Sequence, residues 1–189
     1  KYLSRIAIVK TVGGVVFPSH KLAATKDELT KLHGYGLDIK ASRAKATKLL
    51  KEAGVPGLKF TLHNRGVDQP YKIVGTWMID QWKKTGMKVD QQVNPTPVFY
   101  DTLRKKKTFD VSIDFNCQSV INPIADITKF LGTAGNNYGS YEDQGLEDIY
   151  NKILRSGSEA EQRTLIRAYE KRALSDEARM MISLWWYKI

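Results

Sequence analysis

Two rhythms of apolar residues divide this chain. Across 38–53, Ala46, Leu49, Leu50 and Ala53 recur at i, i+3, i+4 and i+7, the stripe of an amphipathic helix. Gly54 suits the left-handed residue that ends a helix, and Pro56 blocks any continuation. Leu58, Phe60 and Leu62 then alternate with Lys59, Thr61 and His63, the period of a strand with one buried face. The cycle repeats. A helix is expected over 70–85, with Pro70 in its first turn, Gly86 at its end, and Tyr71, Val74, Met78 and Trp82 along one side. Met87, Val89, Gln91 and Val93 mark the next strand, and Thr96-Pro97 the cap and first turn of a short helix through Phe99, Tyr100 and Leu103. Phe109, Val111, Ile113 and Phe115 give the clearest strand of all.

The remaining text is mostly helical. A short helix is expected over 123–131, closed by Gly132, followed by a polar glycine-rich loop over 133–141. Leu146, Ile149, Tyr150, Ile153 and Leu154 form another amphipathic face. Ser158 with Glu161 makes a capping box that launches a helix through Leu165, Ile166, Tyr169 and Leu174. The apolar run over 180–187 reads as a buried or crossing strand. Strands alternating with helices imply α/β layering: a mixed sheet, at least partly parallel, flanked by helices in a single lobe spanning 1–189. In open sheets of this kind ligands sit beyond the carboxyl ends of the strands. The loop after Phe115 and the loop around Asn136 are therefore the places to expect a site.

Composition narrows the function. With 189 residues, 42% hydrophobic and 26% charged, the chain is an ordinary globular domain or one lobe of a larger protein. Its 30 Lys and Arg against 20 Asp and Glu leave a formal charge of +10, which invites acidic ligands, an anionic surface or nucleic acid. A basic α/β nucleic-acid-binding domain is thus the alternative reading, with Arg104-Lys105-Lys106-Lys107 as its sharpest feature. The same cluster also suits a solvated helix end, where cations are favoured. Cys117 is the single cysteine, so no intramolecular disulfide or multi-thiolate zinc site is expected. His20, His33 and His63 share no helix face and form no metal-binding pair, and no phosphate-binding loop is present. Neither an enzyme nor a cofactor is expected. The polar residues displayed with aromatic neighbours suit recognition of a small polar ligand: Asn116, Cys117, Gln118, Ser119 and Asn122 in one loop, Asn137 and Tyr138 in the other.

Several segments resemble one family in its own order. The 38–54 passage, with Ala44-Lys45-Ala46 and Leu49-Leu50-Lys51-Glu52-Ala53-Gly54, resembles the "D-x-x-x-A-x-x-L-L-x-E-A-G" helix of the oligopeptide, dipeptide and nickel class of ABC-transporter solute-binding proteins. Gln81-Trp82-Lys83-Lys84-Thr85-Gly86-Met87-Lys88-Val89 is similar to their "Q-L-K-K-I-G-I-x-V" passage. Phe109-Asp110 fits their "F-D", Asn122-Pro123 takes the place of a "D-P", Asn137 to Tyr141 resembles "N-x-x-G-Y", and Gly13-Gly14 with Pro18 matches an upstream glycine-rich stretch. The resemblance implies a periplasmic-binding-protein-like lobe, the second lobe of a two-lobed extracytoplasmic clamp that lacks its N-terminal lobe here. Residues 179–189 would return toward the hinge. Partners would be a small-molecule or oligopeptide ligand and a membrane permease, not nucleic acid. Peptide binders of the class place an aspartate just before the "D-P"; here Gln118 and Ser119 stand near that place, and Asn122 replaces the aspartate of the motif. Neutral polar or anionic ligands are accordingly expected beside peptides.

Overall fold

A computed structural model of the chain describes residues 11–118 and 121–185. Contacts resolve two compact units, and the chain visits one of them twice. Among the described residues the first comprises 38–116, the second 11–37 together with 117–118 and 121–185.

In the first unit Asp38 caps helix α2 (Ile39–Glu52) by accepting from the backbone of Lys40 and Ala41, at 2.9 and 3.0 Å. Gly54 follows with φ +74°, the conformation its sequence position anticipated. Strand β1 (Lys59–Arg65) is central in a three-stranded sheet of order β2-β1-β3, with β2 at Lys88–Asn94 and β3 at Val111–Ile113. Both described pairings are parallel. Helix α3 (Ile73–Lys83), entered through a wide turn at Asp68–Lys72, makes the crossover from β1 to β2. Its Ile79 closes a core with Leu62 and Val89, flanked by Phe60, Trp82, Met87, Val111 and Ile113. Helix α4 (Thr96–Tyr100) continues as a wide turn over Asp101–Lys106 and buries Phe99 and Leu103 completely. Thr96 is not the cap anticipated. Pro95 holds that position, and no side chain caps this helix.

One expectation from the stripe fails on packing. Helix α2 has no buried residue, and Leu49 is 53% exposed. Periodicity reports a face suited to burial; within this unit only half-buried contacts meet it, among them Arg43 Nη2 donating to Gln81 Oε1 at 2.7 Å.

The second unit is helical. Helix α1 (Lys26–Thr30), which the pattern did not suggest, carries a full capping box between Thr25 and Glu28. Helix α5 (Pro123–Asp126) runs into a tighter turn at Ile127–Phe130, followed by α6 (Gln144–Arg155) and α7 (Glu159–Lys171). Ser158 accepts from Glu161 N–H as expected, while the Glu161 carboxylate reaches one residue further back, to Gly157 N–H at 3.0 Å. Val15, Val16, Ile127, Leu146, Ile153, Ile166 and Tyr169 pack into one core. The strand expected over 180–187 does not form in its described part. Residues 178–184 are irregular, and Trp185 makes an isolated antiparallel bridge to Thr11; residues 186–189 lie outside the described set. An apolar run with no neighbouring ladder to join supplies burial without a sheet.

Candidate functional site

The carboxyl ends of β1 and β2 bring Arg65 and Asn94 into register as direct neighbours. Parallel partners at one register share a face of the sheet, so the two side chains emerge together. Arg65 is the last strand residue before Gly66, whose N–H donates to the Asn94 carbonyl at 2.6 Å. Three rings enclose the guanidinium: its carbon lies 4.3 Å from the centroid of Tyr71, 5.3 Å from Phe115 and 5.8 Å from Tyr100. Tyr71 is supplied by the turn into α3, Tyr100 by the end of α4 and Phe115 by the chain just beyond β3. Each ring presents a negative face to the cation.

Hydrogen bonding leaves this cage incomplete. Arg65 Nη1 donates to Tyr100 Oη at 3.2 Å, and that hydroxyl donates onward to Asp114 Oδ1 at 3.1 Å. Arg65 Nε and Asn94 Nδ2 are both buried and have no acceptor among the described residues. A buried donor without an acceptor costs about 1–3 kcal/mol, so two on adjacent strand ends are unusual. Below them the network is closed: Asn64 Nδ2 donates to the Tyr71 carbonyl at 2.8 Å, and Gln91 Nε2 donates to Asn64 Oδ1 at 3.0 Å.

The loop residues named from sequence follow a different logic. Asn116 is exposed and ends the first unit. Cys117 is exposed, and its carbonyl accepts from the Lys129 ammonium. Burial holds that lysine below its ordinary pKa, with Asp126 acting the other way. The Gln118 amide is engaged at both ends: Nε2 donates to the Val15 carbonyl at 3.0 Å, and Oε1 accepts from Phe17 N–H at 2.8 Å. Ser119 lies outside the described residues. Asn122 is exposed and precedes α5 without capping it. Asn137 closes its own loop, with Nδ2 donating to the carbonyls of Gly132 and Tyr141 at 3.0 and 2.8 Å. Tyr138 is half-buried in the same loop. Thus Cys117 and Gln118 come together with Lys129 and the Gly13–Phe17 strip, and the bonds of Asn137 stay local.

Side chains hold that strip at Gly13, Gly14, Val15 and Phe17. Tyr35 Oη donates to the Gly13 carbonyl at 3.2 Å, and Trp185 Nε1 to the Gly14 carbonyl at 2.9 Å. Val15 N–H donates to Glu170 Oε1 at 2.7 Å. Burial pushes the Glu170 carboxyl above its ordinary pKa, and Arg167, 3.4 Å away, offsets this in part. Gln118 completes the series as a surrogate strand edge.

Sequence reasoning missed Arg65, Asn94, Tyr71 and Tyr100. The rule that ligands collect at strand carboxyl ends covers the Arg-Gly that ends β1 as well as the loop after Phe115. In the sequence pattern Tyr71 and Tyr100 occupy helix positions, which carry no signal of a cage. Other candidates resolve as ordinary surface. Arg104 lies over the Tyr100 ring at 4.3 Å, and Lys105 and Lys106 reach Asp101 at 3.8 and 3.0 Å, so the basic cluster is a solvated, partly paired helix end. An open groove of about 730 Å³ along α3 is lined by Trp77 and by the paired charges Lys72–Asp68 and Lys84–Asp80. Among the described residues no group of three or more His, Cys, Asp or Glu could hold a metal, and no helix is long and apolar enough to cross a membrane.

A parallel sheet with a receptive carboxyl edge, embedded in helices, defines an α/β ligand-recognition scaffold. The comparisons narrow it. Residues 5–138 match the family described as bacterial extracellular solute-binding proteins, family 5 middle, and the chain belongs to that family. The fold resembles the ABC transporter substrate-binding protein CtaP from Listeria monocytogenes, with a TM-score of 0.70 at 18% identity over 90% of this chain and 33% of that one. An oligopeptide ABC transporter substrate-binding domain from Bacillus anthracis gives 0.66 at 20% identity, covering 88% and 33%. A mannohexaose-bound periplasmic oligopeptide-binding protein from Thermotoga maritima gives 0.73 at 15% identity, covering 93% and 37%. This chain therefore spans about a third of the length of these solved structures. No curated protein matches it. Neither the family nor the fold supports the nucleic-acid alternative.

Proposed function

We propose that this chain is the second-lobe portion of a two-lobed substrate-binding protein that captures a peptide-like or other small polar solute outside the cytoplasm and delivers it to an ABC permease. The family match over residues 5–138 carries this reading. The protein grips its solute without altering it, and closure of the two lobes about their hinge encloses the site. The folded framework fits such a role: a rigid sheet edge with donors in place, and a Gly13–Phe17 strip fixed by five side-chain hydrogen bonds. Rigid first contacts reduce the ordering cost of binding. Asn116, Ser119, Asn122 and Tyr138 are the loop residues we assign to ligand contact. Cys117, Gln118 and Asn137 we assign to holding the loops in place, since Gln118 and Asn137 spend their amides on backbone groups.

The test is a thermal-shift screen of the full-length protein against tri- to pentapeptides and oligosaccharides. A ligand at 100 times its Kd stabilises the folded state by about 2.7 kcal/mol, a readily measured shift. Stabilisation by members of one class, unchanged on incubation because the solute is recovered intact, is expected. Absence of a shift with every class, or chemical conversion of the solute, refutes the proposal.

A further inference from the structure

Helix α3 turns Val74, Gly75, Met78 and Ile79 inward, where they are buried. Its outward stripe is Ile73, Thr76, Trp77, Asp80, Gln81 and Lys84, the i, i+3, i+4 rhythm of one helix face. Those residues line the open groove, with Lys72 and Asp68 at its entrance. Ile73 and Trp77 are only half-buried, so an apolar centre lies on a face that solvent reaches. The charges around that centre have an order. Asp68, Lys72, Thr76, Asp80 and Lys84 follow at steps of four residues, reading minus, plus, neutral, minus, plus. Turned end for end about Thr76, the row is its own complement: Lys72 meets Asp80 of a second copy, and Asp68 meets Lys84. Laid parallel, it sets every charge against its like. The ion pairs within the chain do not oppose the exchange. Lys72–Asp68 and Lys84–Asp80 lie in solvent, where such pairs hold weakly and can share a second partner. The wider charge also singles out this face. Between Asp38 and Asn116 there are 15 Lys and Arg against 8 Asp and Glu, so two copies repel over most of the unit. The row along α3 sums to zero.

We propose that this face is a homotypic interface, through which two copies of the protein pair by antiparallel α3 helices about a twofold axis at Thr76. Trp77 of each copy fills the centre and the charged residues form the rim, the anatomy of a self-complementary contact. Lying one position from the axis, the two indoles meet across it. Helix α3 has 11 residues and is about 17 Å long, short of the roughly 1,200–2,000 Å² that a stable assembly buries, so the pairing is weak and reversible. A crossover helix runs back against the strands it joins, so antiparallel α3 helices turn the two sheets end for end. Their carboxyl edges, with Arg65 and Asn94, then lie at opposite ends, and neither obstructs the other. The proposal goes beyond solute capture and stands independently of it.

The experiment is sedimentation velocity of the full-length protein from about 1 to 300 µM, the range in which a weak contact is populated. A reversible monomer–dimer equilibrium is expected, with a Kd on the order of 10–100 µM that rises several-fold in high salt. Lys72→Asp alone and Asp80→Lys alone each set like charges opposite one another twice, and each should weaken the dimer by about tenfold or more. Mixed together, the two variants form a pair in which all four contacts are unlike, and the dimer should return. The double variant Lys72→Asp with Asp80→Lys should dimerise as well, although both pairs within its own helix are lost. Trp77→Ala should dissociate the native dimer. Circular dichroism melts establish that each variant is folded; where Trp77→Ala is not, the charge reversals decide. A native protein that stays monomeric throughout, because the rest of the protein or a different partner takes the face, overturns the proposal and leaves solute capture standing. A dimer indifferent to both single reversals overturns it too, as does a mixture that pairs no better than its components.

Discussion

Gly14 makes the sharpest use of the coordinates. A Cβ built there would lie 1.5 Å from Glu170 Oε1 and 2.4 Å from its Cδ, separations no pair of unbonded atoms tolerates. The backbone of Gly14 is not in the left-handed region, so an alanine is excluded by this contact and not by its own torsions. Gly14→Ala therefore forces the Glu170 carboxylate away, and Val15 N–H loses a buried charged acceptor now at 2.7 Å. Losing one hydrogen bond to a charged group costs about 1.5–3 kcal/mol, and moving the carboxylate also loosens its pair with Arg167. A total near 3 kcal/mol is expected, which lowers the melting temperature by roughly 6–12 °C in a chain of this size. The decisive assay is a double-mutant cycle by thermal or urea denaturation. Glu170→Ala is destabilising alone, because it leaves Val15 N–H without its acceptor and Arg167 with Glu28 as its remaining carboxylate partner. In that background the clash is gone, so adding Gly14→Ala should cost less than about 1 kcal/mol. A coupling of roughly 2 kcal/mol follows. Additive effects would show that Gly14 and Glu170 do not meet, and the account of the tethered strip would fail.

Two further outcomes separate packing from pattern and fix a pH dependence. Phe99→Ala, at a fully buried ring, should cost about 3–5 kcal/mol, whereas Leu49→Ala, 53% exposed, should stay under about 1 kcal/mol; equal losses in denaturation would refute the packing described. Asp143 is subject to burial, which raises its pKa, but bonds from Arg172 and from the start of α6 outweigh it, and its carboxyl stands below the ordinary value. Its stabilisation is complete above the unfolded-state pKa and is lost as pH falls through the lower folded-state value. Asp143→Asn should cost roughly 1–3 kcal/mol at neutral pH and flatten the loss of stability on acidification. An unchanged acid limb would show that the Asp143–Arg172 pair contributes nothing.

The elements were largely legible. The stripe ending at Gly54, the alternation of Leu58, Phe60 and Leu62, and the Ser158–Glu161 start of a helix are statements about neighbours a few residues apart, and the chain obeys them. What failed was environment. The same stripe on α2 that announces a helix says nothing about what covers it, and Leu49 stays half in water. The run over 180–187 has strand composition but lacks a ladder to join. The site was legible only as a rule about strand ends, which pointed equally to every loop at that edge.

Local periodicity alone determined that this is an α/β chain of alternating strands and helices, and the order of its motifs determined its family resemblance. Tertiary structure decided which polar groups are spent and which remain. Gln118 reaches across more than 100 positions, its nitrogen donating to the Val15 carbonyl and its oxygen accepting from Phe17 N–H. The parallel register sets Arg65 beside Asn94 and leaves two donors unanswered among the described residues. Hydrogen-bond satisfaction is a sum over contacts distant in sequence, so no window along the chain contains it.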